Sequence, residues 1–160
     1  MSPDLHTHST ASDGTLTPTQ LLRRAAAAGV EVLALTDHDT LDGLAEAAAA
    51  AASLGVTLIP GAEISVTWGG RTLHIVGLGL DPDSAALNAG LARLLAYHDW
   101  RAEEIGRRLD KHGIPDAFSD ARSLAGGVLV GRMHFARLLV QRGLAASVRD
   151  VFKHFLVQGK

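Results

Sequence analysis

Two histidines one residue apart, His6 and His8, stand near the start of the chain. In an extended strand side chains alternate, so both imidazoles face the same side, within reach of one metal ion or of two adjacent ones. Asp13, His38, Glu63, His74 and His134 follow, most of them at or near the ends of segments that read as strands. Imidazole and carboxylate without thiolate suit zinc, manganese or iron better than calcium or magnesium, which prefer all-oxygen shells. A zinc ion takes about four ligands, so these candidates exceed the needs of one ion and point to two or three. A carboxylate such as Glu63 can bridge two of them. Metals a few ångströms apart can generate a hydroxide near neutral pH and hold both the attacking and the leaving oxygen of a phosphate ester. That chemistry needs neither a cysteine nor a serine nucleophile.

Each residue also has a plainer reading. Asp13 precedes Gly14 and forms a turn. His38 between two aspartates makes hydrogen bonds at a strand end, with Asp39 or Thr40 a helix N-cap. Glu63 is solvated, His74 is a core histidine in an apolar strand, and His134 caps or packs a helix. The joint placement at strand outlets outweighs these readings taken singly. Asp37 and Asp39 are expected to orient histidines. His98, His112 and His154 sit on helices with no partner pattern and read as structural or surface residues.

The elements that must position these groups are legible in order. Residues 3–8 read as a short strand running into a loop, 9–16, with a turn at Asp13-Gly14. Thr17, Pro18 and Gln20 announce a helix: an N-cap, a proline suited to the first helical position, and the partner of a capping box. Gly29 ends it as a C′ residue. Val30 to Thr36 is almost wholly apolar, as expected of a parallel strand covered on both faces. A second, alanine-rich helix runs from about Leu41 to Leu54, and Gly55 stops it. Val56 to Ile59 is the third strand, with Pro60-Gly61-Ala62-Glu63 as its outlet. This is a βαβαβ pattern, whose ligands gather beyond the carboxyl ends of the strands. Ile64–Trp68 and Thr72–Leu80 read as strands joined by Gly69-Gly70, a two-residue hairpin. After Asp81-Pro82 the pattern turns helical: a long helix over 84–112, a loop over 116–130, and helices near 132–142 and 147–157 with Gly143 between them.

Composition narrows the class. A chain of 160 residues, 47% of them apolar, can bury one core and is not disordered by composition. The absence of cysteine removes disulfides and thiolate chemistry. With no signal-like start and no apolar run of about 18 residues, a cytoplasmic protein without a membrane segment is expected. The net charge of −2 is unevenly spread: residues 1–100 hold 4 Lys/Arg and 11 Asp/Glu, whereas residues 101–160 hold 11 Lys/Arg and 6 Asp/Glu. The acidic, histidine-bearing part suits cations. The basic part suits an anion such as a phosphate ester or nucleic acid, or forms solvated helix faces.

Asp4-Leu-His-Thr-His8, Ser12-Asp13-Gly14, Leu35-Thr-Asp-His-Asp39, Gly61-Ala-Glu63 and His74-Ile-Val-Gly77 together resemble the PHP family, the polymerase and histidinol phosphatase metal-dependent phosphoesterases. Gly131-Arg-Met-His-Phe-Ala-Arg137 resembles one branch of it, which removes the 3′-phosphate of nucleoside 3′,5′-bisphosphates or trims short RNA from its 5′ end. The resemblance implies a distorted (β/α)7 barrel with a trinuclear site at the strand C-termini and a helical insertion: a PHP core over 1–80 and an all-helical insertion subdomain over 81–160. It places His6, His8, Asp13, His38, Glu63, His74 and His134 at ligand positions, Glu63 as the bridge and Arg132 facing the substrate phosphate. It implies up to three Mn, Zn or Fe ions, a metal-activated hydroxide, and a nucleotide or short RNA as substrate. Family members continue past residue 160 with further ligands, so this chain is expected to be the N-terminal part of a longer phosphoesterase. One or two ions are then expected here, with the open sheet edge covered by helices or by a second copy in a homodimer. The alternatives are another phosphatase of the family, such as one acting on histidinol phosphate, or an inactive metal-binding or assembly fragment.

Overall fold

The structure, a computed structural model, describes residues 2–126 and 129–156. Gly127 of the expected 116–130 loop and Val157 of the expected last helix lie outside the described residues. The chain divides into two compact units, Met1–Leu95 and Ala96–Lys160.

The first unit is built on four strands in the order β1-β2-β3-β4. These are β1 (Pro3–Thr7), β2 (Val32–Leu35), β3 (Thr57–Trp68) and β4 (Arg71–Leu78), with helices α1 (Pro18–Ala27) and α2 (Leu44–Leu54) between the first three. β1, β2 and β3 pair in parallel, and β4 returns antiparallel to β3. Leu33, Ala34 and Leu35 are all but inaccessible, as the apolar run of β2 requires of a strand covered on both faces. Leu22, Leu33, Leu35, Ala47 and Val56 form the core beneath the sheet.

Local chemistry sets the helix ends. Thr17 caps α1 and makes the reciprocal capping box with Gln20. Glu46 adds a second cap from α2, accepting from the Thr19 N–H at 2.9 Å, one of the donors that the helix itself leaves unpaired. Gly29 and Gly55 follow α1 and α2 at φ 81° and 70°, the left-handed region that glycine enters without steric cost. α2 starts at Leu44 rather than Leu41 and is capped by Gly43, neither Asp39 nor Thr40. Thr40 Oγ1 instead accepts from the Asp42 N–H at 3.1 Å, which holds a turn ahead of the helix.

The larger departure from the sequence reading is β3. Two strands were expected, ending at Ile59 and starting again at Ile64; one strand runs through both. Its partner changes midway. Up to Pro60 it pairs parallel with β2, and from Gly61 it pairs antiparallel with β4. Pro60 supplies no N–H, yet its carbonyl accepts from Leu80 at 3.0 Å. Gly61 allows the crossing: a Cβ there would lie 2.7 Å from the Gly77 carbonyl oxygen. Gly69 and Gly70 close the β3–β4 hairpin, both at positive φ, as a two-residue turn of this kind demands.

In the second unit, α4 (Ala117–Leu124), α5 (Arg132–Gln141) and α6 (Val148–His154) follow α3 (Ala85–Lys111), whose C-terminal part lies in this unit. α4 occupies a stretch expected to be loop. Ala117, Ala121 and Ala125, four residues apart, are buried in one core with Phe135, Leu139 and Val151, and Asp116 turns the chain into the helix at φ 59°. Short alanine side chains make a weak hydrophobic signal but pack well. Among the described residues no helix is long and apolar enough to cross a membrane.

The Glu46 cap gives the first prediction. The Thr19 N–H holds the Glu46 carboxyl below its ordinary range, so its contribution is present above the unfolded value of about 4.3 and is lost as the pH falls through the lowered folded value. Glu46→Ala should lower stability by about 0.5 kcal/mol at pH 7, the low end for a helix cap because the pair is exposed. Denaturant titration should show a larger difference at pH 7 than at pH 3.

Candidate metal centre

The three parallel strands end at one edge of the sheet, and the sequence candidates of the first unit meet there. β1 delivers His6 and His8. Its register slips by one residue between Asp4 and Thr7 against β2, a bulge of the kind that re-aims side chains. The seam just beyond is locked: Thr36 accepts from the Thr7 N–H through Oγ1 at 3.1 Å and donates the same hydroxyl to the Thr7 carbonyl at 3.0 Å. His38 follows β2, and its backbone forms an isolated parallel bridge with Glu63 of β3. In that bridge Glu63 N–H donates to the Asp37 carbonyl and Asp39 N–H to the Glu63 carbonyl, each at 3.1 Å. Glu63 is therefore fixed through its backbone, beside His38 and within reach of both neighbouring strands.

Its side chain is the hub. Glu63 is 7% exposed. Oε2 lies 2.5 Å from His6 Nε2 and 3.1 Å from His8 Nε2; Oε1 lies 3.2 Å from His74 Nδ1 and 4.0 Å from His38 Nδ1. The four rings follow one another at centroid spacings of 5.1, 4.7 and 5.0 Å. Asp13 sits on the far side of two of them, 3.8 Å from His8 Nδ1 and 3.8 Å from His38 Nε2. Three overlapping groups result, His6–His8–Glu63, His8–Asp13–His38 and His38–Glu63–His74, each with ligand atoms within 4.8 Å of one another.

The donor set fits a metal. Among the described residues the ion pairs of Glu63 are to imidazoles, and His8 Nδ1 is buried with no hydrogen-bond partner. Buried polar atoms are normally satisfied, and an imidazole nitrogen left in this way is one a cation would use. Burial pushes the His38 imidazole below its ordinary value, outweighing Asp13 and Glu63, which raise it, while His8 and His74 press it further down. Burial also disfavours the Glu63 carboxylate, but the His6 hydrogen bond and the surrounding rings outweigh it, and Glu63 titrates below its ordinary range. A neutral imidazole and an ionised carboxylate are the forms that bind metal.

The second unit holds the remaining candidates. His134 is 3% exposed in the first turn of α5. Its Nδ1 accepts from the Gly131 N–H at 3.0 Å, so the ring serves as the cap given above as its plainer reading. Arg132 Cζ lies 5.8 Å from the centre of the Phe152 ring. His98, one of the histidines read as structural, is buried with Nδ1 2.9 Å from Arg101 Nη2. What sequence reasoning missed is the role of Ser9, read as a loop residue, and of Ser12, read as part of the loop and of the Ser12-Asp13-Gly14 motif. Both donate to Asp37, through the Ser9 N–H and the two hydroxyls. The carboxylate expected to orient a histidine accepts all three of these bonds. The only signal was the run of small polar residues opposite a strand-end aspartate.

Fold and site together define an α/β domain that carries a histidine–carboxylate cluster at the ends of parallel strands. The chain belongs to the PHP domain family, whose model matches residues 4–148. It is 52% identical over 157 residues to a 5′-3′ exoribonuclease from Haemophilus influenzae, covering 98% of this chain and 57% of that protein. It is 49% identical over 158 residues to a 3′,5′-nucleoside bisphosphate phosphatase from Chromobacterium violaceum, covering 98% of this chain and 55% of that one. A solved structure from Bifidobacterium adolescentis, classed by inference as a metal-dependent phosphoesterase, superposes with a TM-score of 0.92 at 28% identity, over all of this chain and 57% of that one. The chain thus spans a little over half the length of these relatives.

The balance at His38 is measurable. Its ring resonances in a metal-free NMR titration should move with a midpoint below the ordinary histidine value. Asp13→Asn removes the largest influence that raises it, so the midpoint should fall further; a rise would contradict the ordering of causes.

Proposed function

We propose that the chain is the metal-site-bearing part of a phosphoesterase that acts on nucleotides, removing the 3′-phosphate of nucleoside 3′,5′-bisphosphates or trimming short RNA from its 5′ end. The observation that carries this reading is the buried Glu63 carboxylate shared by four imidazoles; the names of the relatives supply the substrate class. His6, His8, Asp13, His38, Glu63 and His74 would hold one or two divalent ions in this chain and up to three in a longer one, with Glu63 as the bridge. His134 is assigned to the same set by family resemblance; in the structure its Nδ1 accepts from the Gly131 N–H. Manganese, zinc or iron suits the mixed imidazole and carboxylate donors. Such ions supply Lewis acidity toward a phosphoryl oxygen and a water acidic enough to attack near neutral pH.

The protein's own residues do the rest. Glu63 stays ionised and sets the spacing of the cluster. The low affinity of His38 for protons keeps it available as a ligand in mildly acidic solution. Arg132, at the first position of α5, binds the substrate phosphate, and the basic surplus of residues 101–160 favours the anion. We further propose a PHP core over 1–80 with an insertion subdomain over 81–160, a boundary that falls between β4 and α3. A cytoplasmic location and a homodimer that covers the sheet edge complete the reading. A second reading is metal binding or assembly without turnover.

Elemental analysis after gel filtration should find transition metal bound to the purified protein, and Glu63→Gln should weaken its retention by about 100-fold or more with the fold intact, since even partners behind the ligands contribute 10–100-fold. Unchanged metal content in that variant would refute the bridge. Release of phosphate from a nucleoside 3′,5′-bisphosphate but not from histidinol phosphate would separate this activity from its nearest alternative, and metal without turnover of either would leave the second reading. Arg132→Ala should weaken nucleotide binding more than Arg137→Ala; equal losses would remove Arg132 from the site.

A further inference from the structure

Ser9, Ser12 and Asp37 form a buried polar cluster behind the imidazoles, at 0%, 1% and 2% exposure. Asp37 Oδ1 accepts from the Ser9 N–H at 2.7 Å and from the Ser12 hydroxyl at 2.6 Å, and Oδ2 accepts from the Ser9 hydroxyl at 2.7 Å. All three donors are neutral. Taking a carboxylate out of water without a cation is costly, and a well-packed apolar residue usually serves stability as well or better. The cost needs another return, and its position in the chain shows one. Ser9 follows His8, Ser12 precedes Asp13 and Asp37 precedes His38. Each residue of this cluster is thus bonded in sequence to one member of the His8–Asp13–His38 group.

The three members of that group are not equally supported. His8 directly follows β1 and contacts Glu63 at 3.1 Å; His38 is held by its backbone bridge to Glu63. Asp13 belongs to no strand or helix. The residues on either side of it are tied down. Ser12 is tied to Asp37 and donates its N–H to the Ser9 carbonyl at 3.1 Å, and the Gly14 N–H donates to the same carbonyl at 2.9 Å. Gly14 packs so tightly that a Cβ there would lie 2.5 Å from the His8 carbonyl oxygen. Asp39, on the other side of His38, ties β3 instead, accepting from the Ser65 N–H at 2.7 Å.

We propose that Asp37 is a positioning residue: acting through Ser9 and Ser12, its carboxylate holds Asp13 against His8 and His38, and so builds the one of the three overlapping metal groups that lacks Glu63, without touching metal itself. This rests on the reading of the cluster as a metal centre.

The test is a Co²⁺ titration of the protein and its Asp37→Ala, Asp13→Ala and doubly substituted variants, followed by visible absorption and by ion count after gel filtration. Circular dichroism monitors the fold, and hydrogen exchange monitors residues 9–14. Asp37→Ala should lose the same ion as Asp13→Ala, by about 10–100-fold in affinity, and keep ions held through Glu63; the double variant should lose no more. The Ser9, Ser12 and Gly14 amides should exchange faster. Asp37→Asn, whose amide can still accept from Ser9 and Ser12 and donate to the Ser9 hydroxyl, should recover most of the affinity. Should Asp37→Ala fail to fold, Ser12→Ala, which removes one bond of three, should give the same selective loss in smaller measure. Ion binding unchanged in Asp37→Ala, or in Ser12→Ala where that variant stands in for it, would overturn the assignment and leave the metal centre standing. Equal loss of all ions, matched by Asp39→Ala, would reduce Asp37 to a structural role and overturn it too. A wild-type protein that binds no Co²⁺ would overturn both the metal centre and the positioning role.

Discussion

A carboxylate withdrawn from water must be matched by donors or positive charge, and the first unit is arranged to provide this at Glu63. Four imidazoles approach its two oxygens. They come from β1, from the turn after β2 and from β4, with Glu63 itself on β3. No single element could gather them. The match is also incomplete in a telling way: the imidazoles crowd one another within about 5 Å, and one buried ring nitrogen, His8 Nδ1, has no hydrogen-bond partner. A shared cation satisfies rings and carboxylate together, which protein donors alone do not.

The fold serves that arrangement through the behaviour of β3. A purely parallel strand would have ended near Ile59, with Glu63 in a loop. Because Pro60 and Gly61 let the strand exchange a parallel partner for an antiparallel one, Glu63 remains in regular structure, paired to Val76 on one side and bridged to His38 on the other. Regular backbone is the more exact support for a site. The same hairpin returns His74 along β4, where its Nδ1 reaches the oxygen of Glu63 that also faces His38.

Asp37 and Asp39 divide the support of His38 between them. One reaches back to the loop after β1, the other forward to β3. Asp39 takes a left-handed backbone at φ 54° to do so, a conformation that aspartate tolerates better than most residues. The histidine between them is thus anchored from both sides, and the loop that bears Asp13 is tied to the same short turn.

Much of this was legible in the chain. The capping box at Thr17, the glycine stops at Gly29 and Gly55, the Gly69-Gly70 turn and the long helix after Pro82 all follow from local backbone and side-chain chemistry, and the structure has them where the residues require. The approach of His6, His8 and His38 to one edge of the sheet was legible for the same reason, since strand period and βαβ order decide which residues reach the carboxyl edge; that Glu63 lies inside β3 and not at a strand outlet was not. Three matters needed the tertiary structure. The continuity of β3 depends on which strand lies beside each residue, and a proline reads as a break until its partners are known. Helix α4 depends on alanines whose burial only a neighbouring core confers. The attachment of Asp37 to Ser9 and Ser12 joins residues 25 and 28 positions apart. Hydrogen bonds between short polar side chains leave no periodic trace in sequence, because they are set by distance in space rather than by spacing along the chain.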